Sequence, residues 1–402
     1  MTIHRLRLEN IGPFDHLDLP VDPSWTMLLG NNGVGKSIIL KAIAVGLCGD
    51  ETETYAARLI KSGRDSAGIV LETRQDTYVT RLDRTDSGAA LSIESVSPLR
   101  AEGWLALGFP SMRALTWHRA VRGPRVPTVG SPTAVDLHPL LAGELDPRLD
   151  DVKQWIVELD HEIRAGAGEN RHAAQRSLEE LFYVTDFLAS GQRLEFHDVN
   201  RRTWTVHVRT ADGVIPIEAV SHGTAALFGM AGTILRRLRE VYGHAAMPRE
   251  EFALVLIDEI DAHLHPTWQQ TLTSRLQQIF PRLQFIATSH SPLIAGSLRP
   301  PQIHRVRRDQ EGLVTVEPHR SDLTGLRADE ILTGPLFQLE STLDFRTQAL
   351  LTRYTELAAR DTLSPADQEE LDAVLQAINK KLLAEVKIQL QELISGSRSP
   401  RR

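Results

Sequence analysis

The chain has 402 residues, 42% of them hydrophobic and 24% charged, with a formal net charge of −7. This is the composition of an ordinary globular protein of one large domain or two to three smaller ones, and it excludes an intrinsically disordered chain. The acidic balance speaks against a dedicated nucleic-acid coat, and a single cysteine, Cys48, forbids an intramolecular disulfide and suits a reducing cytoplasm.

Met1 to Asn10 contains no apolar h-region, so no secretory signal is expected. The longest apolar run beside the chemistry, Phe252 to Ile257, is too short to span a bilayer. A cytoplasmic protein without membrane contact is expected. Ile3 to Leu8 alternates apolar and polar residues as a half-buried strand does; Asn10 to Pro13 turns, and Phe14 to Leu19 returns. Thr26 to Leu29 reads as a short buried strand. It runs into Gly30-Asn31-Asn32-Gly33-Val34-Gly35-Lys36-Ser37, a complete G-x-x-x-x-G-K-S loop, and Ile38 to Leu47 reads as the helix that follows. In such a unit the backbone N–H groups converge on an anion. Lys36 reaches the β- and γ-phosphates of a nucleotide, and the Ser37 hydroxyl ligates Mg²⁺.

Residues 69–73, 77–84 and 91–96 carry strand patterns parted by Asp76 and by Asp86 to Gly88, which predicts an antiparallel β arm on the P-loop core. Residues 97–147 are rich in Pro and Gly and predict a loop-rich segment with one short strand, Trp104 to Leu107. Arg113, Arg119, Arg122 and Arg125 make that segment basic, as a solvated loop or as a contact with the phosphates of a nucleotide or of DNA. In 148–164 and 171–189 apolar residues recur at helical spacing, with Val152, Ile156 and Leu159 in the first and Leu178, Leu181 and Leu188 in the second. Ala165 to Asn170 separates them, which predicts an inserted helical hairpin. Strands return at 194–199, 203–209 and 214–217. Val220-Ser221-His222-Gly223-Thr224 opens a helix of small residues that stops at Gly243. Ser221 suits its N-cap, and the helix start offers a second anion-binding end.

Leu254 to Glu259 reads as a buried parallel strand that ends in two carboxylates. The C-terminal ends of such strands are where α/β folds hold ligands. Asp258 is placed to hold Mg²⁺ through water, and Glu259 to polarise an attacking water as general base. His263 and His265 find no third ligand at metal spacing, so a turn into an amphipathic helix over 267–280 is expected there. A second buried strand, Leu283 to Thr288, delivers His290 to the same sheet end, where it would sense a γ-phosphate.

In combination, these motifs resemble the ABC-type ATPases of the SMC/RecF/OLD branch. They are the Leu6 to Phe14 strand pattern, the P-loop, Ser221-x-Gly223, the acids with Asp261, the His263-Leu-His-Pro run and Thr288-Ser-His-Ser-Pro292. The resemblance covers roughly residues 1–320. It implies an α/β fold: a P-loop NTPase core of ABC/SMC-head type with an antiparallel β arm, an inserted helical hairpin and a C-terminal helical extension. The implied divisions are 1–147 (P-loop half with the arm), 148–192 (hairpin), 193–320 (signature, Walker B and His-switch half) and 321–402 (helical extension with a basic tail).

It further implies ATP and Mg²⁺ as ligands and a head-to-tail homodimer with two ATP molecules at its interface, a larger oligomer staying open. Ser221 and Gly223 would touch the γ-phosphate held by the other subunit, and Asp261 would communicate across the dimer. The chain departs from the transporter ATPases in carrying His222 and Thr224 in the signature without Gly-Gln, and neither Gln75 nor Gln154 is well placed as a Q-loop glutamine.

Beyond residue 320, Arg327 to Phe337 reads as a short helix and turn, Leu343 to Ala359 as a helix, and Ser364-Pro-Ala-Asp367 as a capped helix start. Leu371, Leu375, Ile378, Leu382, Val386, Leu390 and Leu393 then form a long apolar stripe, either hairpin core or a docking seam. No acidic TOPRIM triplet and no His-Asn-His pattern follows His290, so any cutting of nucleic acid belongs to a partner. The sequence resembles the stand-alone ATPases of Septu and retron anti-phage systems, which implies a switch gating an effector nuclease. The rival expectation is a RecF- or SMC-like repair ATPase acting on DNA.

Overall fold

Alternating apolar residues in β1 (Ile3–Ile11) and β2 (Phe14–Pro20) set Leu6 opposite Leu19 and Leu8 opposite Leu17, all four buried on one face of an antiparallel hairpin. The computed structural model describes residues 2–84, 91–94, 98–100, 104–113, 134–146, 148–189, 193–243, 248–360 and 364–396. They divide into two compact units, Met1–Ile331 and Leu332–Arg402.

In the first unit, β3 (Trp25–Leu29) leads through the P-loop into α1 (Lys36–Cys48) and the short α2 (Glu53–Ala56). Next come β4 (Ser66–Thr73), β5 (Thr77–Arg84) and β6 (Leu91–Glu94). β4 pairs with β1, so the sheet order is β2-β1-β4-β5-β6. The strands expected as an arm are thus the far half of a single five-stranded sheet that starts with the N-terminal hairpin. Leu71 and Ile69 of β4 face Leu6 and Leu8, and the shared apolar face packs on α1.

β7 (Ala106–Phe109) lies two residues beyond the expected strand. Trp104 to Phe109 is apolar or glycine throughout and has no alternation to mark its ends, so parallel pairing to Leu254–Ile257 decides the register. The short α3 (His138–Ala142) precedes α4 (Arg148–Ala165) and α5 (Glu169–Leu188), which pack on each other and on α6 (His222–Tyr242). Between α5 and α6, β8 (Glu195–Asn200), β9 (Thr205–Thr210) and β10 (Gly213–Pro216) form a small antiparallel sheet.

β11 (Leu254–Ile257), α7 (Pro266–Gln269) and α8 (Leu272–Ile279) follow. The helix expected over 267–280 is therefore two. The Thr271 backbone N–H bonds the Trp268 carbonyl at 3.0 Å and its hydroxyl turns back to the same carbonyl, a local competitor that breaks the helical ladder. The unit continues through β12 (Gln284–Ser289), α9 (Pro292–Ala295), β13 (Ile303–Arg308), β14 (Val314–Pro318) and α10 (Ala328–Thr333), whose last two residues pass into the second unit.

The central sheet has the order β14-β13-β3-β12-β11-β7, with β14 antiparallel at one edge and the rest parallel. β3, β11, β12 and β7 are buried along their whole length, as strands covered on both faces must be. Trp25 stacks on Phe285 with ring centroids 4.4 Å apart. The buried Gln284 amide ties β1 to this sheet, accepting from Ile3 N at 2.9 Å and donating to the Ile3 and Asp22 carbonyls at 2.7 and 2.9 Å.

His304 in β13 is buried, and among the described residues neither ring nitrogen has a hydrogen-bond partner. Burial pushes its pKa down to about 4. The folded chain therefore holds a neutral ring while the unfolded chain takes a proton below about pH 6.5. Stability should fall as pH drops from about 6.5 towards 4, by about 3 kcal/mol in all from this group. Urea titrations at pH 7 and pH 5 should show His304→Leu losing less stability on acidification than the parent; equal losses would clear His304 of the effect.

In the second unit, Asp344 caps α11 (Phe345–Ala358), accepting from the Arg346 and Thr347 N–H groups at 3.1 and 3.2 Å. α12 (Pro365–Gly396) pairs with it through Arg353–Glu370 at 2.7 Å, and Arg360, just beyond α11, pairs with Asp367 at 2.8 Å. Val374 is buried and Leu371, Leu375 and Ile378 are half-buried. The side chains of Leu382, Val386, Leu390 and Leu393 lie outside the described residues. Among the described residues, no helix is long and apolar enough to cross a membrane.

Candidate active site

Three neighbouring strands of the central sheet, β3, β12 and β11, end at one place. β3 ends in the P-loop. A Cβ at Gly30 would lie 2.1 Å from the Val306 carbonyl oxygen, so only glycine lets β3 turn out beside β13. Gly35 opens α1 at φ 104°, in the left-handed region that glycine enters without strain.

Lys36 is buried. Its Nζ donates to the Gly30 and Asn31 carbonyls at 2.8 and 2.9 Å and stands 2.9 Å from Nε2 of His290, just past the end of β12. An ammonium only donates, so Nε2 accepts and the His290 proton sits on Nδ1. Burial pushes the Lys36 pKa down to about 8, with the carboxylates of Asp258, Glu259 and Asp261 opposing. Burial, and then the Lys36 ammonium, lower that of His290, which keeps the ring neutral.

Ser37 Oγ donates to Asp258 Oδ1 at 2.8 Å, and Thr288 Oγ1 of β12 donates to the same oxygen at 2.7 Å. A hydroxyl and a carboxylate meeting at a sheet end are the hard oxygen donors that Mg²⁺ takes, so the residues present suit that ion. Lys36, Ser37, Asp258 and His290 are thereby joined by direct contacts, while Asn31, Asn32, Gly33 and Val34 form the loop around them.

Glu259, half-buried, adopts φ 47°, a left-handed conformation that costs a non-glycine residue about 1 kcal/mol. The Glu259 N–H donates to Thr288 Oγ1 at 2.7 Å and the Asp258 N–H to the Phe109 carbonyl at 2.9 Å. From the other side, the Arg113 guanidinium donates to the carbonyls of Pro110, Asp258 and Glu259 at 2.7, 2.6 and 2.7 Å. Arg113 is buried and turned inwards, so it does not line a basic groove; Arg119, Arg122 and Arg125 lie outside the described residues.

Asp261 begins the next turn, and its Oδ1 is buried with no partner among the described residues. Gln269 holds this turn: its Nε2 donates to the Leu264 carbonyl at 2.9 Å while its Oε1 accepts from Ser291 Oγ at 2.6 Å. The residue after His290 is thus linked to the segment after Asp261. His265 caps α7. Ser221 caps α6, accepting from the Thr224 N–H at 3.2 Å, and is exposed with His222. Gly223 is buried against the same turn, where a Cβ would lie 2.7 Å from the His263 carbonyl oxygen. Ser221 and Gly223 therefore sit next to the Asp261 turn and outside the Lys36–Asp258–His290 contacts. Gln75 lies in the exposed β4–β5 turn and Gln154 bonds Glu158 on α4.

Sequence reasoning missed Gln269 and the roles that Thr288 and Arg113 play. Thr288 had a signal, a polar residue directly after the apolar Phe285–Ala287 stretch of a buried strand, which requires a partner. Gln269 and Arg113 had none, because their roles depend on segments far along the chain.

Residues 5–123 match a family described as "AAA domain", and residues 148–296 one described as "AAA domain, putative AbiEii toxin, Type IV TA system". The chain is 25% identical over 361 residues to the Septu protein PtuA of Bacillus mycoides, covering 89% of this chain and 46% of that protein, so it spans about half that relative's length. It is 34% identical over 152 residues to the retron Vc95 probable ATPase of Vibrio cholerae, covering 36% of this chain and 28% of that protein. A solved SMC head bound to the C-terminal winged-helix domain of ScpA is 17% identical, with a TM-score of 0.48 and coverage of 79% of this chain and 97% of that one.

Proposed function

We propose that the chain hydrolyses ATP as a nucleotide-gated switch of ABC/SMC type, a reading supported by its two matches to AAA-domain families. The observation that carries this reading is the meeting of Lys36, Ser37, Asp258 and His290, drawn from three distant stretches of sequence, at one sheet end. Lys36 exchanges its carbonyl and imidazole partners for β- and γ-phosphate oxygens, and the backbone of Gly30 to Ser37 cradles the phosphates. Ser37, and Asp258 through water, would hold Mg²⁺, and the ion would neutralise charge on the phosphate oxygens. Glu259 takes a proton from the attacking water as its oxygen bonds the γ-phosphorus. The bond to the β–γ bridging oxygen breaks, and ADP and phosphate leave. Once Lys36 turns to the phosphates, neutral His290 takes the tautomer with its proton on Nε2 and donates to the γ-phosphoryl group, which needs that hydrogen bond most as charge develops.

In the proposed assembly two copies pack head to tail, and Ser221 and Gly223 of each close over the nucleotide of the other. Support comes from the exposed Ser221 cap and from the turn that joins it to Asp261. Similarity to Septu and retron ATPases supports a role in the cytoplasm in anti-phage defence, with the ATP state gating a partner effector, a nuclease by preference. The rival reading, a RecF- or SMC-like repair ATPase, expects a basic groove along DNA, and the described member of that strip, Arg113, is buried.

Light scattering tests the assembly. A non-cleavable ATP analogue should raise the mass of the wild-type chain, and Ser221→Arg should remove that rise while nucleotide affinity stays within about threefold, roughly 0.7 kcal/mol. A Ser221→Arg variant that gains mass like the wild type would refute the sandwich.

A further inference from the structure

The structure assigns Arg113 as the positioning residue for hydrolysis: its guanidinium fork fixes the backbone of Glu259 and so aims the carboxylate. This rests on the reading of Glu259 as general base. The two carbonyls that flank the Glu259 Cα, those of Asp258 and Glu259, accept from Nη1 and Nη2 of the same guanidinium at 2.6 and 2.7 Å. The relative tilt of the two peptide planes is the φ,ψ pair of Glu259. A rigid planar fork bonded to both oxygens therefore clamps that pair, which a single-point ammonium cannot do.

What it clamps is a strained conformation, φ 47°. Such strain persists only where the surroundings over-determine it, and it collects at functional sites. The opposite side is held as well, by Thr288 on the Glu259 N–H and by β7 on the Asp258 N–H. The clamp is itself anchored, since Nη1 also bonds the Pro110 carbonyl just beyond β7. Burial lowers the Arg113 pKa to about 10, with the carboxylates of Asp258, Asp261, Glu259 and Asp146 opposing, so the group stays charged near neutral pH. A buried cation resting on neutral carbonyls is a poor way to stabilise a fold. Its location against the acid is what gives it a use.

The test is a double-mutant cycle on the full chain, following kcat, KM and nucleotide Kd. Arg113→Lys keeps the charge and loses the fork. A reacting group displaced by about 1 Å costs about 10²-fold, so kcat should fall by about that factor while KM and Kd stay within about threefold. In a Glu259→Gln background, Arg113→Lys should cost nothing further, because there is no longer a base to aim. A wild-type kcat in Arg113→Lys, or losses that multiply in the double variant, overturns the assignment.

A Glu259→Gln enzyme that hydrolyses normally fails a different claim, the identity of the base. Arg113→Ala with millimolar guanidinium gives a second reading. Recovered kcat supports the clamp; no recovery in a chain that still binds nucleotide overturns it, as does unfolding of both variants.

Discussion

Glu259→Gln should bind ATP as tightly as the parent and hydrolyse it about 10³-fold more slowly, the middle of the range for losing a positioned general base. The substitution is isosteric. It keeps the backbone bond from Glu259 N to Thr288 and the Arg113 contacts to the flanking carbonyls. What it removes is the capacity to accept a proton. The loss should therefore appear in kcat and leave KM nearly unchanged, which marks an interaction used in the transition state. Single-turnover release of labelled phosphate, with filter binding of ATP on the same samples, separates the two. Hydrolysis within threefold of wild type would remove Glu259 from the chemistry.

Lys36→Ala should weaken ATP binding by about 10²- to 10⁴-fold, since two charge-assisted hydrogen bonds to phosphate at about 1.5–3 kcal/mol each are lost. The lysine also sets a pH dependence. Burial holds its pKa near 8, and a bound triphosphate raises it again by opposite charge. Below pH 8 the ammonium is already present. Above it, binding must take up a proton, so wild-type affinity should fall by up to about tenfold per pH unit. Calorimetry at pH 9 in buffers of different ionisation enthalpy should show that uptake in the wild type and not in Lys36→Ala. Equal proton uptake in both would show that another group is titrating.

The parts of the site readable in the sequence are those where one short stretch carries both a strand and its chemistry. Thr26 to Ser37, Leu254 to Glu259 and Leu283 to Pro292 each announce a buried strand and the residue at its end. Local pattern does not announce pairing. The β-branched and apolar pattern of residues 69–73 marks a strand but says nothing of β1 as its partner, so one continuous sheet reads as an arm. The apolar run at Trp104 places a strand without fixing its ends. Arg113 reads as part of a solvated loop or a phosphate contact from its arginine-rich surroundings, because only the adjacency of β7 and β11 brings the Asp258 and Glu259 carbonyls to it. Gln269 is hidden for the same reason, its partner Ser291 lying past a helix and a strand.

The strand that bears the P-loop takes both its lateral partners, β12 and β13, from much later in the polypeptide. During synthesis at 5–20 residues per second, Trp25–Leu29 emerges from the ribosome roughly 10–50 s before anything can flank it. A chain that stops before residue 284 lacks both neighbours of β3 and His290 with them. The sheet around the P-loop strand is complete only once β13, beyond His290, has been made.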